Sequence, residues 1–316
     1  MIDSFVLENQ TTKEKIEFGK VYTSEYILDK LDLGSVNTNQ NTFSYPYQVG
    51  VSIASTTIKE RDISINGYIT YVPSLAEIQS VDGENGRILS EIIEKNIEEK
   101  KKKLNAVVVP DDYVRLYIAD YYLEGKPEAQ ILYGKTEKDN NEYFCAFLLE
   151  IYCSNPMFRK VKETVSNISN SNGAFHFPLI LKPYGIIMST RTSYQLIFIE
   201  NEGNATVGGK IYIEAKTIVE NPQIENLTTG EKIKINKTMV AGEKIVINTN
   251  DGNDKGITGT IGLVTENYYR YWDFDNDWMK FPQGLSLIGY STDNDTEQYL
   301  DIRIEMLPEK YNLEVE

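Results

Sequence analysis

The residues of this chain best suited to chemistry lie in one short run, YYRYWDFDNDW at 268–278, which holds Tyr268, Tyr269, Tyr271, Trp272, Phe274 and Trp278. Both tryptophans of the chain are in it. Sugar rings have apolar faces that stack on aromatic rings, so Tyr271, Trp272 and Trp278 are the candidate contacts to a polysaccharide. The competing expectation, which the sequence favours, puts alternate aromatics in a sheet core with Trp278 filling the space between two sheets. Asp273, Asp275 and Asp277 repeat the spacing that opens a calcium loop. The remainder of such a loop is missing, because Trp278 replaces its glycine and Gly284 its closing glutamate. A polar turn is therefore expected there, and no metal site.

His176, the single histidine, stands between two phenylalanines in FHFPL with no nucleophile motif beside it, so it reads as a strand residue. G-x-S-x-G, Walker and H-E-x-x-H motifs are absent. Hydrolysis of glycosides needs two carboxylates at a set separation, and 47 acidic residues neither identify nor exclude such a pair. No catalytic residue, cofactor or metal is assigned, and the chain reads as a non-enzyme. Cys145 and Cys153 are eight residues apart in one strand, a separation of ~26 Å at ~3.3 Å per residue. That is too far for a disulfide, so both are expected reduced and in a core.

The 316 residues suffice for two domains, and 41% hydrophobic with 25% charged residues is an ordinary folded composition. A net charge of −15 argues against gripping nucleic acid through its phosphates, which needs a basic stripe. It is compatible with letting nucleic acid slide past an acidic wall. The start, MIDSFVLENQTTKEK, lacks a basic head followed by an apolar run, so no signal peptide is expected. No apolar run approaches the ~18 residues that would span a membrane.

Positioning these residues falls to strands. DISINGYITYV (62–72), KIYIEAKTIV (210–219), KIVINTN (244–250) and YLDIRIEML (299–307) alternate with period two, and further strands are expected at Tyr113–Tyr122, Ala129–Tyr133 and Tyr143–Cys153. One helix is expected at 84–104, with Ile88, Leu89, Ile92, Ile93, Ile97 and Leu104 on one stripe. Glu91–Lys95, Glu98–Lys102 and Glu99–Lys103 are paired one turn apart, and the lysines at 100–103 read as a solvated helix end. The Ser- and Asn-rich stretch VSNISNSNG (165–173) is the expected linker, dividing domains at 1–165 and 166–316. The second domain has no helix signal and reads as a β-sandwich.

Taken in order, KERDISINGYI (59–69), the helix, FLLEIYCSNPMFRK (147–160), FHFPLIL (175–181), IENEGNA (199–205), ENPQIENLTTGEKIKI (220–235), AGEKIVINT (241–249) and WMKFPQGLSLI (278–288) resemble the distal tail protein family of bacteriophages. Gly208-Gly209 departs from the family, where a proline is frequent before the next strand. The resemblance implies a mainly β protein: a tail-tube-like sandwich or barrel with one long helix, then a galectin-like or carbohydrate-binding-module-like sandwich. It implies a homo-hexameric ring at the virion tail tip, assembled in the host cytoplasm. The implied partners are the tail tube protein, the tail-tip hub or tail-associated lysin, and receptor-binding or baseplate proteins, with DNA only as passing cargo and no membrane. The alternative is a carbohydrate-binding module that attaches to host cell-wall glycans.

Overall fold

Alternating residues in the first half of the chain send one side chain in two inward, and the strands close on those side chains. The computed structural model describes residues 2–20, 24–74, 77–78, 86–134, 143–167, 169–173, 189–193, 196–252 and 254–313. His176 lies outside the described residues. The chain divides into two compact units, Met1–Val161 with Tyr311–Glu316, and Lys162–Lys310. The last six residues, assigned from the sequence to the second domain, belong to the first unit.

In the first unit the strands are β1 (Phe5–Asn9), β2 (Lys15–Gly19), β3 (Tyr26–Asp32), β4 (Thr38–Phe43), β5 (Ser52–Ile58) and β6 (Arg61–Thr70). Helix α1 (Gly86–Val107) follows, then β7 (Val114–Ile118), β8 (Tyr121–Pro127), β9 (Leu132–Tyr133), β10 (Phe144–Cys153) and β11 (Phe158–Lys160). Seven of these run β8-β7-β1-β2-β3-β6-β10, and β10 returns to β8 through Ile151↔Pro127 and Tyr152↔Lys126, which closes a barrel. Closure leaves no free edge among those seven strands. Their inward residues, among them Leu7, Phe18, Ile65, Leu116, Leu149 and Cys153, form one core with Ile93, Ile97, Leu104 and Val107 of α1.

Three sequence expectations change here. The strand expected at Tyr113–Tyr122 breaks into the β7–β8 hairpin, because Ala119 takes a left-handed conformation (φ 50°). The strand expected from Ala129 shrinks to Leu132–Tyr133. The helix runs on to Val107, where Asn9 of β1 caps it: the Asn9 amide donates to the Val107 carbonyl (2.9 Å) and to Asp112 (3.1 Å). The Asn9 Oδ1 accepts from the backbone N–H groups of Thr11 and Thr12. Asn9 is fully buried, so Asn9→Ala is expected to cost about 1–3 kcal/mol, read as a lower urea midpoint of the first unit.

The second unit comprises β12 (Thr164–Asn167), β13 (Ser169–Gly173), β14 (Ser189–Ser193), β15 (Leu196–Asn201), β16 (Lys210–Ala215), β17 (Val219–Glu220), β18 (Gln223–Asn226) and β19 (Glu231–Lys234). It continues with β20 (Thr238–Met239), β21 (Lys244–Asn248), β22 (Gly256–Ile261), β23 (Val264–Asn267), β24 (Gly284–Ser291) and β25 (Leu300–Met306). A six-stranded sheet, β12-β25-β16-β21-β22-β23, and a four-stranded sheet, β15-β24-β18-β19, share one core. Ile211, Ile245 and Ile304 come from the first sheet, Ile199, Ile224 and Ile288 from the second. The stretch expected as a linker is strand instead: Thr164–Asn167 pairs with β25 and Ser169–Gly173 with β14. Backbone hydrogen bonds to a partner strand override a turn-prone Ser/Asn composition at a sheet edge.

Candidate functional site

Two features stand out, one in each unit. The first is the β4–β5 hairpin, an arm paired only with itself. Between Asp32 and Lys59 the chain carries no Asp, Glu, Lys, Arg or His over 26 residues, although a quarter of the whole chain is charged. Apart from the half-buried Ser52, every residue of β4 and β5 is exposed, and the side chains include Phe43, Ile53 and Ile58. At the tip Tyr47 and Val49 are completely exposed (106% and 101%).

The tip is nonetheless built. Gln48 accepts from the Tyr45 N–H (3.1 Å) and donates to Ser52 (2.8 Å), Phe43 and Tyr45 meet edge to face, and Tyr47 is held left-handed at φ 66°. An isolated two-stranded hairpin is marginal in water, and an aromatic residue at positive φ is costly. Such an arm gains stability when a partner covers it. Sequence reasoning passed over this segment, because its side chains do not alternate apolar and polar. The charge gap was the available signal.

The second feature is the aromatic run, which the fold does bring together. Tyr268 is core, 3% exposed, with its ring laid on Gly259, where any Cβ would collide with it. Tyr271, Trp272 and Trp278 are half-buried at the rim of that core. Trp272 and Trp278 stack at 4.7 Å, Lys255 lies 4.8 Å from the Trp278 ring, and Arg270 lies 4.8 Å from the Tyr271 ring. Each tryptophan thus covers one face of the other, and Lys255 lies over the Trp278 ring as well. Phe274 is fully exposed, apart from the stack.

Beneath the run lies a polar group that the sequence did not mark. Glu243 is fully buried and accepts from the Tyr268 hydroxyl (2.9 Å), the Lys237 ammonium (2.9 Å) and the Val240 N–H (3.0 Å). Lys237 also lies over the Tyr268 and Tyr271 rings. In the 273–277 turn the Asp273 carboxylate is spent on local bonds: it accepts from the Asp275 N–H and from Asn236, which holds it below the usual range. Among the described residues no three His, Cys, Asp or Glu side chains are grouped to hold a metal.

The lysine run divides. Lys100 donates to the Thr70 carbonyl (2.8 Å) and Lys101 pairs with Glu98 (2.8 Å), so both stems lie against the barrel, while Lys102 and Lys103 are exposed. The expectation of a wholly solvated helix end therefore holds for only two of the four lysines. Cys145 and Cys153 are both buried free thiols. Among the described residues no helix is long and apolar enough to cross a membrane.

Several buried acids keep their protons. Burial pushes Tyr26 up to about 12, and burial aided by the bond to Glu243 does the same to Tyr268. Burial also pushes the Cys153 thiol up to about 12. A proton held more tightly in the folded state stabilises the fold below the unfolded pKa, and that stability is lost as pH rises through the folded value. The second unit is thus expected to lose stability from about pH 10 to about 12, and the first from about pH 9, where an unfolded thiol ionises. Urea midpoints measured from pH 8 to 12 check this, and a flat profile would contradict it.

A closed seven-stranded barrel carrying helix α1, followed by a unit of two sheets on one core, is an arrangement also found among solved structures of phage tails. The chain is similar to the crystal structure of the SPP1 distal tail protein, Dit (gp 19.1), described as a paradigm of the hub adsorption apparatus in phages that infect Gram-positive bacteria. The likeness covers 96% of this chain and 98% of that one, with a TM-score of 0.60 and 11% identity. Two structures of the phage P2 baseplate in its activated conformation, with Ca and with Sr, match over 96% of this chain and 98% and 97% of theirs. Their TM-scores are 0.38 and 0.35, at 13% and 12% identity. No family model matches the sequence, and no curated protein matches it.

Proposed function

We propose that this chain is a structural protein of a phage-type tail tip, a distal tail protein whose first unit closes a homo-hexameric ring. The observation that carries this reading is the likeness of fold to SPP1 Dit over nearly the whole length of both chains. The arm supplies a physical reason for assembly, since its charge-free, exposed surface gains stability by docking on a second copy. The ring joins the tail tube protein to the tail-tip hub or lysin and to receptor-binding or baseplate proteins, and the second unit is a galectin-like sandwich. DNA passes through the ring without being gripped, which suits a chain of net charge −15. The work is geometric, done by the assembled ring at the virion tail tip after assembly in the host cytoplasm, and no reaction is assigned.

Light scattering on the purified chain tests this. Six copies of 36.1 kDa, or twelve in two stacked rings, seen as an annulus in negative stain, are expected. A chain that stays at 36.1 kDa over a wide concentration range and forms no annulus counts against the ring.

A further inference from the structure

We propose that the returning end of the chain, Tyr311–Leu313, is a latch on the first unit, and that Arg61 is its pin. The chain leaves the first unit at Val161, builds the whole of Lys162–Lys310, and returns at Tyr311. Arg61, at the start of β6 and opposite Cys153 of β10, is 1% exposed. Its Nη2 donates to the Tyr311 carbonyl, its Nη1 lies 3.5 Å from the Leu33 carbonyl, and its guanidinium sits 4.7 Å from the Phe158 ring. Its Nε has no partner, and among the described residues no carboxylate pairs with it.

A buried cation without an acid is costly, so its position is explained by what it holds. It holds three pieces of chain far apart in sequence: the exit of β3, the start of β11, and the C-terminal return. Gly34, at φ 62°, lets the β3 exit pass so close to β6 that a Cβ would strike the Asp62 carbonyl. Leu313 then packs on the barrel core. The first unit is therefore sealed at its Arg61 end in part by residues that are synthesised after the whole of the second unit. An incomplete chain has an unlatched barrel, which withholds a finished first unit until the second has been made. The inference stands on the first unit alone and is independent of the proposed ring.

The molecule carries its own reporters. Both cysteines lie in the first unit, at opposite ends of β10, with Cys153 beside Arg61, and both tryptophans lie in the second. Thiol labelling of native protein, located by peptide mass, is measured on the full chain, the Arg61→Met variant, a chain ending at Lys310, and the double variant. The expected result is Cys153 labelling at least tenfold faster in both single variants, Cys145 and tryptophan emission unchanged, and no further acceleration when the two are combined. Cys153 protected as in the unaltered chain, or effects that multiply on combination, would overturn the latch. Should the shortened chain fail to fold by tryptophan emission, full-length Arg61→Met decides the matter through hydrogen exchange. Lost protection in first-unit amides around Cys153, at least tenfold, supports the latch, and unchanged exchange there refutes it.

Discussion

Replacing Tyr47 and Val49 together by aspartate is expected to leave both units folded and to abolish self-association. Neither side chain makes a buried contact within its own copy, so the folding cost is expected to stay within about 0.5 kcal/mol. Aspartate also tolerates the left-handed backbone at position 47 better than tyrosine does. Across an interface the balance reverses. Each apolar side chain covered by a partner contributes about 1.5–3 kcal/mol, and a carboxylate in its place adds a desolvation penalty. Two such changes weaken each contact by at least about 4 kcal/mol, or roughly a thousandfold. Sedimentation velocity on the variant should show 36.1 kDa monomers with an unchanged circular dichroism spectrum. Rings that persist in the variant would remove the arm from the interface.

The second large effect is expected at Glu243. Truncation to alanine strands the Lys237 ammonium, itself only 14% exposed, together with the Tyr268 hydroxyl and the Val240 N–H. Breaking a buried pair by removing one partner costs about 3–5 kcal/mol, because the remaining charge stays buried without compensation. Glu243→Gln keeps an acceptor for the hydroxyl and costs less. Trp272 and Trp278 stack on each other and pack on the core of the same unit, so tryptophan emission during urea unfolding reads the loss. An alanine variant with the parental midpoint would mean that water replaces the carboxylate at little cost.

What the sequence disclosed follows the range of the interaction involved. β6 and β10 were legible because each alternates over ten residues against one core. The helix stripe was legible for the same local reason, but its end was not, since Asn9 caps Val107 from across 98 residues. Barrel closure depends on Ile151 meeting Pro127, a register that neither strand declares by itself. The break at Ala119 was missed because alanine gives no turn signal, and Thr164–Asn167 was missed because its strand character comes from β25. The aromatic run was visible as a cluster, whereas Glu243, in AGEKIVIN, looks like any exposed acid beside a turn. The arm was missed, because its strands do not alternate apolar and polar; the one signal it offered was its lack of charges.

Those missing charges bear on where an assembled particle could survive. A contact made through residues 33–58 contains no ion pair that dissolved salt could break, since the arm brings none. Salt does act on the remainder of the molecule: copies of net charge −15 repel one another over a screening length of about 30 Å at 0.01 M, shrinking to about 3 Å at 1 M. In the proposed ring, added salt would therefore ease the approach of like-charged copies without breaking any ion pair of the arm. If the ring forms as proposed, fresh water, serum and brine would differ in how fast its copies gather, and none of them would find an ion pair in the arm to break.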